Sequence, residues 1–213
     1  MRPPHSRTAA RPDGFTLLEL LLVVAVIVGL LGVASPAIQG AMNATRLKES
    51  ADLVYNRIFE AQQLALTLST ETEVRIYQAE DLVDTAPIPP LRKVQVFVLH
   101  AAADGADATD STPTFTASGG AEAVHPSVVI SSQSVYNSLL SRGFNNGSGQ
   151  DATGSYLAFR FHPDGTTNLP PDQAWFLTLL ERNQEASKAK PKNFITLQID
   201  PATGGLRRFQ PGA

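Results

Sequence analysis

Apolar and polar positions change rhythm three times along this chain. From Phe15 to Ala34 nearly every position is apolar, with Thr16 and Glu19 the polar exceptions. Twenty such residues in a helix span about 30 Å, the thickness of a bilayer's hydrocarbon core. From Leu47 the apolar positions thin to one stripe, Leu47, Ala51, Val54, Ile58, Ala61, Ala65 and Leu68, in steps of three or four. Lys48, Glu49, Asp52, Arg57, Glu60 and Gln62 take the other faces, so this segment is predicted as an amphipathic helix packed on a core. Together the two stretches predict one helix of about 55 residues, roughly 80 Å long.

Beyond residue 70 the rhythm becomes that of strands. Glu73 to Tyr77 alternates, which turns Val74 and Ile76 inward; Val94 to Leu99 follows the Pro-rich link APIPP. Residues 101–127 are small and turn-forming, and predict a long mobile surface loop. Val128 to Ile130 is a short strand, and Val135 to Leu140 a turn of helix or a sheet edge. In YLAFRF, Leu157, Phe159 and Phe161 share one face before the turn Pro163-Asp164-Gly165. Trp175 to Leu180 reads as a strand covered on both faces. Phe194 to Ile199 and Leu206 to Phe209 form a closing hairpin around Pro201–Gly205. The class is α+β, with a helix over 15–70 and a sheet domain over 71–213.

Composition narrows the function. The 213 residues carry a formal net charge of −3, which gives no whole-chain case for nucleic acid. Without cysteine there is no disulfide, no thiolate nucleophile and no soft metal ligand. There is no G-x-S-x-G, Walker loop or H-E-x-x-H motif. The glycines between Gly147 and Gly154 have the wrong spacing for a phosphate cradle. Asp104, Asp107 and Asp110 recur every third residue, unlike the alternate ligands of a calcium loop. His162 and Asp164 read as flanks of a turn rather than a metal pair. No catalytic residue, metal site or cofactor is expected, and the chain is not read as an enzyme.

The N-terminal segment admits three readings. A secretory signal peptide would be cleaved near Gly32-Val33-Ala34. A plain membrane anchor would leave Glu19 incidental, although a carboxylate at membrane depth costs about 2.5–3.5 kcal/mol on insertion scales. Third, Gly14-Phe15-Thr16-Leu17-Leu18-Glu19, after a leader with Arg2, Arg7 and Arg11, resembles the prepilin signal of type IV pilins and pseudopilins. The resemblance implies that residues 1–14 are a cytoplasmic leader, removed by prepilin peptidase between Gly14 and Phe15, with Phe15 then N-methylated. It implies a membrane and assembly helix over 15–36 and its amphipathic continuation over 37–70.

Glu19 would pair with the terminal amine of a neighbouring subunit, since each charge is costly in lipid and low dielectric strengthens their attraction. Pro36 would bend the helix, or else end the membrane portion.

The other end adds a looser match. Phe159-Arg160-Phe161-His162-Pro163-Asp164-Gly165 and the closing hairpin resemble the H-type minor pseudopilins of type II secretion and FimT-like minor pilins. The overall arrangement is also similar to the pilin-like Verru_Chthon cassette protein D group. These resemblances imply a single-pass inner-membrane protein with its sheet domain in the periplasm. Other pilin subunits and an inner-membrane assembly platform would be its partners. The alternative they imply is a minor pilin binding DNA through Lys188, Lys190, Lys192, Arg207 and Arg208, residues that also suit solvated surface charges.

Overall fold

The computed structural model describes residues 15–79, 89–100, 114–148, 153–187 and 190–211, without the side chains of 33–37, 148 and 153. The chain divides into two compact units, Met1–Ala41 and Met42–Ala213. Helix α1 (Leu17–Leu68) is helical through position 36, so the helix does not end at the proline. It stops where Ser69 takes a left-handed φ of 50°, a conformation that frees the last carbonyls for capping and is usually given to glycine.

In the first unit the helix carries its apolar side chains bare. Leu17, Leu18, Leu20 to Val24, Val26 to Val28, Leu30 and Leu31 are between 47 and 82% exposed where they are large hydrophobics. Among the described residues no helix is long and apolar enough to cross a membrane; the described side chains of this stretch end at Gly32.

In the second unit the same helix behaves as its spacing requires. Leu47, Ala51, Val54, Ile58, Ala61 and Ala65 are all fully buried, while Leu68, at the helix end, is 52% exposed. The stripe packs on one face of a sheet built from β1 (Thr72–Gln78), β2 (Leu91–His100), β3 (Thr114–Ala117), β4 (Glu122–Ala123), β5 (Val128–Ile130), β6 (Asn145–Ser148), β7 (Thr153–Phe161), β8 (Trp175–Glu181), β9 (Phe194–Ile199) and β10 (Leu206–Phe209). The order is β10-β9-β8-β5-β2-β1-β7-β6, with β3 and β4 also on β2, and every pairing is antiparallel. A 3-10 turn (Ser138–Arg142) precedes β6, and a one-turn helix α2 (Arg182–Glu185) follows β8.

Strand alternation sorts the two faces. Val74, Ile76, Val94, Val96, Leu157, Phe159, Phe161, Trp175, Leu177, Ile195 and Leu197 meet the helix in one core. Tyr77, Phe97 and Tyr156 form a separate cluster, joined by Phe115 and Ala158. Polar ties fix the helix to the strands: Thr72 Oγ1 donates to the Ala61 carbonyl at 2.8 Å, and Arg208 on β10 pairs with Asp52.

The expected loop over 101–127 is structured in its described part. Thr114–Ala117 pairs with Phe97–His100, Glu122–Ala123 pairs with Lys93–Val94, and Val124 is 1% exposed in the core. Phe115 supplies the apolar contact that the small residues around it lack. Arg57 of α1 reaches Glu122, tying β4 to the helix. Asp104, Asp107 and Asp110 lie outside the described residues.

Candidate functional site

The first candidate site is the start of α1. Gly14 and the leader lie outside the described residues, as does the side chain of Pro36. Phe15 is 81% exposed just ahead of the helix. Thr16 is the N-cap and Glu19 the third helical residue, and they cap one another. The Glu19 amide donates to Thr16 Oγ1 at 3.2 Å, while the Thr16 amide and hydroxyl both donate to Glu19 Oε2 at 3.0 Å. This reciprocal capping box satisfies two of the amides that a helix start leaves without partners. It also fixes a carboxylate at the positive end of the helix dipole. The spacing Thr16-Leu-Leu-Glu19 is itself the signature of these bonds, so the cap is legible in the sequence.

The basic residues near the C-terminus do not form one patch in the described structure. Lys188 lies outside it. Lys190 and Lys192 are exposed before β9, with the Lys192 amide donating to Gln184 Oε1 at 2.9 Å. Arg207 and Arg208 are adjacent on a strand and therefore face opposite ways. Arg207 is exposed, whereas Arg208 points to the helix and is neutralised by Asp52. The pair Lys192 and Arg207 is further separated by the length of β9, since Arg207 stands opposite Gln198.

A charge network missed in the sequence occupies the face of β1 and β7 away from the helix. Glu73, 5% exposed, stands between two arginines: Arg75 Nε donates to Oε1 at 2.5 Å and Arg160 Nε to Oε2 at 2.8 Å. Register explains the meeting, because Glu73 is directly opposite Arg160 and two residues from Arg75 on the same face. Both guanidiniums are stacked. Arg75 lies 3.8 Å from the Phe97 ring centroid and 4.8 Å from that of Tyr156, and Arg160 lies 4.5 Å from that of Phe115. The signal was the alternation Glu-Val-Arg-Ile-Tyr itself, which sends Glu73 and Arg75 to the face opposite Val74 and Ile76.

The histidines find local partners. His162 Nδ1 is 3.2 Å from Glu71 Oε1, and Asp164 instead accepts from the Thr166 amide at 2.9 Å and its hydroxyl at 2.6 Å. Those bonds hold the Asp164 carboxyl below its ordinary value and close the turn. His125 bonds Ser127 Oγ at 2.8 Å; burial first, then the charges of Arg46 and Arg92, push its imidazole below the usual range. Among the described residues no three His, Cys, Asp or Glu side chains are grouped to hold a metal ion.

The fold is thus α+β, a long N-terminal helix whose second part packs on an antiparallel sheet. No family model and no curated protein matches the chain. Among solved structures it is similar to the minor pseudopilin EpsH from the type 2 secretion system of Vibrio cholerae. The identity is 16% and the TM-score 0.44, over 79% of this chain and 99% of that one.

Proposed function

We propose that the chain is a minor pilin or pseudopilin subunit of a type II secretion or type IV pilus-like system. Prepilin peptidase cuts it between Gly14 and Phe15, and the new amino terminus is methylated. The observation that carries this reading is Glu19, a carboxylate held on the first turn of a helix whose neighbouring side chains are apolar and bare. Bare apolar surface of this extent demands lipid or protein cover. In lipid the helix anchors the subunit in the inner membrane, with residues 42–213 in the periplasm. In the assembled filament other subunits provide the cover, and Glu19 meets the amine of a neighbour at the assembly platform.

The subunit works by addition to a short envelope-spanning filament, without chemistry of its own. A DNA-binding role has less support, because Asp52 already neutralises Arg208 and Arg207 faces away from it.

The test is the amino terminus of the protein isolated from its native envelope. Sequencing and intact mass should show N-methylated Phe15 as the first residue, and Gly14→Ala should leave the longer precursor. A terminus just after Ala34 would establish signal peptidase processing and remove the reading.

A further inference from the structure

Beside the Glu73 network is a pocket of about 370 Å³ that the filament role does not use. Ala158 leaves room on its floor between Tyr156 and Arg160, Phe115 forms a wall, and Arg142 comes to it from the 3-10 turn. Its lining holds three guanidiniums, Arg75, Arg142 and Arg160, against the one carboxylate of Glu73. Glu73 is already divided between Arg75 and Arg160. Glu71 stands 3.6 Å from Arg160 but also engages His162, and Arg142 makes no ion pair among the described residues. Counting both glutamates, the site keeps an excess of positive charge.

We propose that this pocket binds a single carboxylate group. Stacking on Phe97, Tyr156 and Phe115 holds the planes of Arg75 and Arg160, whose Nε atoms are spent on Glu73, so an entering carboxylate would meet the Nη ends of the fixed guanidiniums. Preorganisation lowers the cost of binding, because the side-chain freedom of both arginines is already spent. Arg142, exposed on the rim, is the adaptable third contact. The carboxylate comes either from an acidic side chain of another protein or from a free organic acid, and the two share this chemistry.

The full-length protein in detergent, labelled for arginine Nε–H NMR signals, is titrated with four probes: N-acetyl-glutamate amide, free acetate, inorganic phosphate and the uncharged N-acetyl-glutamine amide. Signals of Arg75, Arg142 and Arg160 should move with the acids and stay still with the glutamine probe. Tighter binding of the glutamate amide than of acetate assigns the source to a protein side chain; the reverse assigns it to a free acid. Arg142→Ala should weaken acid binding about tenfold, the loss of one charge-assisted contact, and Arg142→Glu should abolish it with the remaining spectrum unchanged. Equal shifts with the glutamine probe, no shifts at all, full affinity in Arg142→Glu, or preference for inorganic phosphate would each overturn the proposal.

Discussion

Thr16 and Glu19 cap each other at the start of α1, the Thr16 amide meeting Glu19 Oε2 at 3.0 Å. Glu19 therefore has two separable roles, as a local cap and as a charge. Glutamine preserves the acceptor oxygen and so the cap, but removes the charge. We expect Glu19→Gln to be cleaved normally yet recovered poorly in sheared filament fractions, and Thr16→Ala to keep most of its incorporation. Equal incorporation of Glu19→Gln and wild type in immunoblots of that fraction would show that the charge is not used.

Gln62 ties the helix to two turns at once. Its Nε2 donates to the Gly165 carbonyl at 3.1 Å and the Thr203 carbonyl at 2.9 Å. Close by, Gly204 has φ 66°, and a Cβ there would stand 2.2 Å from the Gly165 carbonyl oxygen. Backbone strain and that clash should make Gly204→Ala cost about 2–4 kcal/mol. Gln62→Ala should cost about 1–2 kcal/mol by leaving two carbonyls short of a donor. The two losses should not add, since both loosen the same contact; denaturant midpoints of the single and double variants measure the difference.

The Glu73 network predicts an asymmetry between its partners. Removing Glu73 strands the guanidinium of Arg75, whose side chain is 12% exposed, so Glu73→Ala should cost about 3–5 kcal/mol. Arg160 is 41% exposed and its charge can be solvated, so Arg160→Ala should cost about 1 kcal/mol or less. Urea unfolding with an unchanged m-value would give both numbers directly.

Stability should also fall on mild acidification. His125 has a folded pKa below its ordinary value of 6.5, so the unfolded chain takes up the proton first. Its contribution is full above about 6.5 and is lost as pH drops through the folded value. A plot of unfolding midpoint against pH should decline below 6.5, and His125→Gln should flatten that decline. Asp164 and Asp200, both held below their ordinary 3.8 by hydrogen bonds from Thr166 and Ala202, add a separate loss at more acid pH.

Periodicity made much of this fold legible. The stripe from Leu47 to Ala65 is buried position by position, and β9 and β10 begin and end where their apolar alternation does. What escaped has a physical reason in each case. Strands β3 and β4 are four and two residues long, with Phe115 their one large apolar side chain, so their place is set by the free edge of β2 rather than by propensity. Asn145–Ser148 forms β6 only because β7 offers it an edge. Glu73 meets Arg160 across 87 residues of sequence, a contact that only strand register creates. Arg207 and Arg208 are neighbours in sequence, but strand alternation sends their side chains to opposite faces and only Arg208 reaches Asp52.

Between β2 and β5 the sheet is joined by the single residue pair Leu91 and Ile130. Its two sides, β10-β9-β8-β5 and β2-β1-β7-β6, share the helix stripe as a common keel. Thr167 adds a stitch, its amide donating to the Pro201 carbonyl at 3.0 Å. A pull between the helix and the last hairpin would be borne by interlocked side chains, with little backbone ladder to shear. At that seam side-chain interlock takes over the work that hydrogen-bonded rungs do elsewhere in the sheet.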